Sequence, residues 1–312
     1  MTLRRATVPA FAKVNLSLKV LYKRTDGFHE LRTVFQTISL ADTLDIEFTP
    51  RRKTSIEVDS SIPIENNLVI TAARLVMDAM RVAGQARFQL TKRIPMGGGL
   101  GGGSSDAAAV LLALPRLARK KLPDWTLHQL AAELGSDVPF FLIGGTVLGL
   151  GRGEELYPLP SIRERHALLL APGVAVSTAD AYRSLNAALT PLLPPNKMKE
   201  FQLLARGLEC PDPAHGWKAF CENDFEAVVF KRHPLLKSLR EALRQHGAQP
   251  ARMSGSGAAL FGVFESPVRL AKARRAIEAE YPLVRQESIR LITRGEYQAR
   301  WRRALAGHEA GK

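Results

Sequence analysis

Six glycines fill the seven positions 97–103 and run directly into Ser104-Ser105-Asp106. Backbone amides with no Cβ in front of them can approach phosphate oxygens closely. A helix starting behind such a loop adds unpaired N–H groups and the positive end of its dipole. Phosphate binding is therefore the chemistry this segment suits best. The loop holds no lysine, so the Gly-Lys-Ser/Thr signature of a Walker P-loop is absent. Gly97-x-Gly99-x-x-Gly102 formally meets the dinucleotide fingerprint, but no acidic residue ends a predicted strand about 20 residues later. Asp124 lies near that distance, in a proline-containing loop. A flexible linker would not lead from a strand straight into a capped helix. One tension remains, since Asp106 in the first helical turn favours the dipole but opposes a nearby phosphate.

Other residues could complete a phosphoryl-transfer site. This reaction needs an acceptor hydroxyl held in line, charge stabilisation around the moving group, and often a base. Lys13 and Asn15 sit two apart on the polar side of an alternating run, so both face the same way. Asp137, in Gly135-Ser136-Asp137-Val138-Pro139, is either a carboxylate base or an N-cap for the next turn. Ser254-Gly255-Ser256-Gly257 is either a plain turn or a second anion-holding loop. Taken alone, Lys13 reads as an exposed strand lysine, His29 as a surface residue, Tyr182 as a core aromatic and Asn67 as a helix cap. Ser104 and Ser105 could contact phosphate or magnesium while capping the helix.

The elements that must position these groups follow from periodicity. Residues 10–20 alternate Ala12, Val14, Leu16, Leu18 and Val20 with Lys13, Asn15, Ser17 and Lys19, which predicts a half-buried strand. Thr25-Asp26-Gly27 marks a turn, and strands are expected over 31–40 and 43–48. A helix is expected over 67–83, capped by Asn66 or Asn67 and ended by Gly84. Alternation returns over 85–92. After the glycine loop, Ser104-Ser105-Asp106 predicts the cap of a helix reaching about Leu114, before Pro115. Further helices are expected over 126–134 and 138–142, and a strand over 146–150. A Pro- and charge-rich stretch near 157–165 places a boundary between domains 1–160 and 161–312. The second half predicts strands at 167–171, 258–264 and 288–293, helices at 235–245 and 268–280, and a loop at 190–195. Strands and helices interleave in both halves, which means an α/β or α+β class.

Composition narrows the possibilities. The chain has 312 residues, 46% hydrophobic and 24% charged, which excludes a wholly disordered polypeptide. Cys210 and Cys221 are too few for a disulfide framework and lack metal-ligand spacing, so a reducing compartment, the cytoplasm, is expected. No apolar run is long enough for a transmembrane helix. The net charge of +14 points to an anionic partner: nucleic acid, a membrane surface or a phosphorylated small molecule. The few aromatics are not interleaved with the basic clusters, which counts against nucleic acid.

Taken together, residues 95–105 (Pro95-Met96-Gly97-Gly98-Gly99-Leu100-Gly101-Gly102-Gly103-Ser104-Ser105) resemble the phosphate-binding motif of the GHMP kinase superfamily. Ala12-Lys13-Val14-Asn15-Leu16 resembles its first motif, and residues 252–258, around Ser254-Gly255-Ser256-Gly257, its third. Asp26-Gly27-Phe28-His29 and residues 135–139 resemble the branch that acts on a cytidine-diphosphate-linked polyol. The five motifs stand in the family's order and span nearly the whole chain. The resemblance implies an α+β fold of two domains with the site between them, an N-terminal ribosomal-protein-like α/β domain and a C-terminal ferredoxin-like one. It implies ATP and Mg2+, and phosphorylation of the polyol's 2-hydroxyl in the non-mevalonate isoprenoid route. Homoserine- or mevalonate-type kinases are the alternative within the superfamily. By the same resemblance Asp137 is the base and Lys13 its electrostatic partner, and Asn67 lies near the adenine. Asn15, Phe28, His29, Thr178 and Tyr182 contact the substrate, with Phe28 and Tyr182 clamping cytosine while His29 reads its edge. Phe28 stands where many members carry tyrosine.

Overall fold

A computed structural model describes residues 2–162, 166–186 and 221–308. The loop expected at 190–195 and Cys210 lie outside the described residues. The first sheet contains β1 (Arg4–Lys23), β2 (His29–Pro50), β3 (Ser55–Ser60), β4 (Gly84–Thr91), β5 (Thr146–Leu150) and β6 (Glu155–Pro158). Its order is β3-β4-β2-β5-β6, with β1 paired to β2. Four helices accompany it: α1 (Leu68–Ala79), α2 (Gly102–Ala118), α3 (Asp124–Leu134) and the short α4 (Phe140–Ile143). The second sheet runs β10 (Arg285–Arg290), β7 (His166–Ala171), β9 (Leu260–Phe264), β8 (Ala251–Met253). With it come α5 (Thr178–Asn186), α6 (Glu226–Arg232), α7 (Pro234–Gln245) and α8 (Pro267–Glu280), and the last helix is α9 (Arg294–Ala304).

The β1–β2 hairpin organises both lobes. Val8, Ala10 and Phe11 enter the core under α1 and α2, whereas Ala12, Val14 and Leu16 pack against Leu169, Phe261 and Val263 of the second sheet. Lys13, Asn15, Ser17 and Lys19 on the other face are also buried. The alternation thus separates two buried faces, one apolar and one polar, rather than core from solvent. β2 is continuous where two strands were expected. Its first part pairs with β5 at Thr33–Gln36 and its last with β4 at Thr43–Pro50, so the strand changes neighbour without turning.

Other boundaries shift for local reasons. α1 ends at Ala79, Arg81 turns left-handed with φ 53°, and Gly84 opens β4 instead of closing the helix. α2 starts at Gly102, its N-cap is Gly101, and Ser104, Ser105 and Asp106 lie inside its first turns. It continues through Pro115 and closes on left-handed Arg119, whose N–H reaches the Arg116 and Pro115 carbonyls. β10 begins three residues before the expected 288. Elements β3, β6, β8, α5, α6 and α9 are not among those expected from the sequence. In α9 only Tyr297 and Trp301 are buried, too few to show a period within an arginine-rich run, yet both join the first lobe's core. Cys221 is buried, and burial pushes its thiol up to about 12. Among the described residues no helix is long and apolar enough to cross a membrane.

Candidate active site

Between the lobes lies a cavity of about 700 Å³. Its floor comes from β1 and β2, its walls from the glycine loop, residues 136–137, α5 and residues 255–256. At the floor the Lys13 ammonium lies 3.3 Å from Asp137 Oδ2 and donates to Asn15 Oδ1 at 2.7 Å. The Asn15 amide donates to Thr33 Oγ1 at 2.8 Å, and that hydroxyl donates to the Ser17 carbonyl at 2.8 Å. The lysine also sits 5.4 Å from the centre of the Phe35 ring. A buried cation held this way has little rotamer freedom and a fixed orientation. Asp137 is not a cap: α4 starts at Phe140, after Pro139, with no side-chain cap bond. Its carboxylate is one-third exposed toward the cavity.

The glycine loop is clamped from both lobes. The Leu100 carbonyl accepts from Lys13 N at 3.0 Å, and the Gly98 carbonyl from Ala259 N at 3.2 Å. Ser254 Oγ donates to the Gly99 carbonyl at 2.9 Å. Gly99 and Gly101 have φ of 71° and 70°, and a Cβ on Gly99 would come within 2.2 Å of the Ser254 carbonyl oxygen. Gly103 differs: a Cβ there would meet no protein atom within 4 Å. Glycine in a helix costs about 1 kcal/mol relative to alanine, and packing does not explain this one. Leu100 is buried in the lobe interface, so only its backbone serves the loop.

The motifs converge in part. Lys13, Asn15, Phe28, His29, Gly99, Gly101, Asp137, Thr178, Tyr182, Gly255 and Ser256 all line the cavity. Ser254 and Gly257 lie just beneath it, with Gly257 N–H bonded to the Ser254 carbonyl at 3.0 Å. Thr178 and Ser256 hydroxyls meet at 2.8 Å across two elements. Pro95, Met96, Gly97, Gly98, Gly102, Gly103, Ser104 and Ser105 are not among its lining, and neither is Asn67. Asn67 is a working cap, accepting from Val69 N at 3.0 Å.

The rings expected at the pyrimidine end stand close together. Tyr182 stacks on His29 at 4.6 Å and 25°, and its ring meets Phe225 edge-on. Phe28 is half exposed with the Arg152 guanidinium 4.6 Å from its ring centre. One face of Tyr182 is thus applied to His29, while Phe28 and Tyr182 both line the cavity. Burial, and to a lesser extent the Asp137 charge, push the Tyr182 phenol up. Sequence reasoning missed Thr33, Arg152, Phe225 and Asn223. The Asn223 amide holds the third loop by donating to the Met253 and Gly255 carbonyls, both at 2.8 Å. Only the Gly151-Arg152-Gly153 turn gave a local signal.

Comparison with known proteins agrees with this arrangement. Residues 67–145 match the GHMP kinases N terminal domain and residues 214–283 the GHMP kinases C terminal region. The fold and the glycine loop thus define an ATP-dependent small-molecule kinase of the GHMP class. A 4-diphosphocytidyl-2-C-methyl-D-erythritol kinase of Solibacter usitatus is 52% identical over 98% of this chain and 95% of that protein. A crystal structure of 4-(cytidine 5'-diphospho)-2C-methyl-D-erythritol kinase superposes with a TM-score of 0.74 at 37% identity, covering 91% of this chain and 98% of that one. A homoserine kinase of Cytophaga hutchinsonii gives 0.70 at 19% identity over 93% and 95%, a likeness of fold alone. The chain belongs to the 4-diphosphocytidyl-2-C-methyl-D-erythritol kinase family.

Proposed function

We propose that this protein transfers the γ-phosphoryl group of ATP to the 2-hydroxyl of 4-diphosphocytidyl-2-C-methyl-D-erythritol, giving the 2-phosphate and ADP in non-mevalonate isoprenoid precursor synthesis. The observation that carries the reading is the Lys13–Asp137 pair at the floor of a cavity that both the glycine loop and His29 reach. The hydroxyl oxygen attacks the γ-phosphorus, the bond to the β–γ bridging oxygen breaks, and the hydroxyl proton passes to Asp137. Lys13 neutralises charge on the moving group, and amides of the loop and of α2 hold the phosphates. Asn15 fixes the lysine, and Ser256 with Thr178 holds the polyol side.

Among the described residues no three His, Cys, Asp or Glu side chains converge on a metal site. Mg2+ keeps several waters and binds through substrate phosphates and one or two protein groups. The half-buried Ser104 hydroxyl, in the first turn of α2, is its candidate protein ligand. When bound, the ion would offset the charge of the phosphates. We divide the chain into domains 1–160 and 161–312, which meet at the cavity, with α9 of the second returning to the first lobe's core, and place the enzyme in the cytoplasm. An ATP-consumption assay with the cytidine-diphospho-methylerythritol against homoserine, mevalonate and galactose tests the reading. Turnover confined to the first supports it, and turnover of homoserine or mevalonate alone would move the enzyme to another branch.

The pyrimidine end is tested separately. With Tyr182 holding His29, the imidazole edge selects the base and Phe28 offers it a ring face. Base–aromatic stacking contributes roughly 1–3 kcal/mol, so Phe28→Ala should weaken substrate binding by roughly 5- to 150-fold. Tyr182→Ala should act through His29, eroding discrimination between cytidine and uridine substrates as His29→Ala does. The check is kcat/KM for both substrates in the three variants. A cytidine/uridine ratio unchanged in His29→Ala would remove the edge-reading role.

A further inference from the structure

Directly beneath the glycine loop, outside the cavity, lies a buried charge cluster that the transfer step does not use. Lys92 follows β4 and its side chain is 5% exposed. Its ammonium pairs with Asp42 in the middle of β2 and, at 2.7 Å, with Asp106 Oδ2 in α2. Asp42 is fully buried, and its other oxygen accepts from the backbone of Arg93 and, at 2.8 Å, of Ile94. The segment leading into the loop is thus tied to the central strand. Lys92 also abuts the helix start: a Cβ on Gly102 would lie 3.2 Å from its nitrogen. A cation beside a helix N-terminus opposes the dipole, and a buried one is costly unless paired. Two buried carboxylates around one ammonium are the compensation. Asp106 Oδ1 has no hydrogen-bond partner among the described residues, and burial pushes this carboxyl up to about 7.

We propose that Lys92 is a positioning residue for nucleotide binding. By bridging Asp42 of the sheet to Asp106 of α2, it fixes the first turn of that helix and so aims the amides that receive the phosphates. The inference rests on the phosphate-binding reading of the loop. Lys92 does not line the cavity, so it acts through α2 and not on substrate. Its loss should therefore separate the two substrates. The cytidine end depends on β2, Phe28 and His29, whereas the nucleotide end depends on the orientation of α2.

The test is calorimetric titration of a non-hydrolysable ATP analogue, with KM for both substrates, in wild type, Lys92→Met, Asp106→Ala and Asp106→Asn. Lys92→Met removes the charge at nearly constant volume. Asp106→Ala cuts only the α2 end of the bridge and leaves Lys92 with Asp42. Asp106→Asn keeps an oxygen acceptor for the ammonium. Lys92→Met and Asp106→Ala should weaken analogue binding at least tenfold with KM for the polyol within twofold, and Asp106→Asn should stay within threefold of wild type. If Lys92→Met does not fold, Asp106→Ala decides. Analogue affinity within twofold of wild type in a folded variant, or equal losses for both substrates, overturns the proposal. A wild-type protein that bound no analogue would overturn the phosphate reading of the loop as well, whereas normal wild-type binding beside unaffected variants overturns the positioning role alone.

Discussion

Asp137→Asn is expected to fold, to bind ATP, and to lose about 10²–10⁴ in kcat, the usual contribution of a general base. The substitution keeps the shape of the side chain and its reach to Lys13 but removes the basic oxygen. It cannot act by undoing a helix cap, because α4 begins at Phe140 without one. Lys13 is 3% exposed and retains Asn15 as an acceptor at 2.7 Å, so the lysine keeps its place. Steady-state rates with a parallel analogue titration check this. A kcat within threefold of wild type would mean that proton removal needs no base here and that Asp137 serves only as counter-charge to Lys13.

The second large effect falls on the glycines, and here the structure separates two kinds. Gly101→Val should leave no measurable affinity for an ATP analogue. Its φ of 70° disfavours a β-branched residue, and its Cβ would lie 2.8 Å from the Phe141 ring and 3.2 Å from Lys13 Cγ. Both the loop and the catalytic lysine would move. Gly103→Ala is the informative contrast. The position is helical and open, so alanine should stabilise the fold by up to about 1 kcal/mol while its methyl group occupies the phosphate's place. A raised thermal midpoint together with weakened analogue binding is expected. Unchanged affinity in Gly103→Ala would show that the phosphates do not approach α2 at its first turn. Gly102 is helical, and its small size serves contact with Ile94 and Lys92.

The motifs were legible because each is a run of neighbours with unusual composition. The glycine loop, the Lys13/Asn15 pair and the Asp137 turn announce themselves within a few residues. What stayed hidden depends on distant partners. Alternation over 10–20 identified a strand but not that its polar face is buried, because the partners of Lys13 and Lys19, Asp137 and Glu222, lie far along the chain. Asp42 falls between two expected strands and carries no signal until Lys92, 50 residues later, is set against it. The stacking of Tyr182 on His29 joins residues 153 apart, and no local pattern encodes a ring orientation. Pro115 shows the converse error. Proline usually marks a boundary, yet the apolar side of α2, with Leu111, Leu114 and Leu117 buried, carries the helix past it.

The return of α9 to the first lobe bears on how the chain matures. Tyr297 and Trp301 fill the core beside Phe11, and the Tyr297 hydroxyl bonds the Phe141 carbonyl. The hydrophobic interior begun by the first strand is thus completed by a segment synthesised after the whole second sheet. During synthesis the N-terminal half emerges with its interior unsealed, and contacts of such long sequence separation form late and slowly. The nascent chain is therefore an aggregation-prone species until α9 docks, and the lobes cannot be excised as autonomous folding units at the boundary between their sheets.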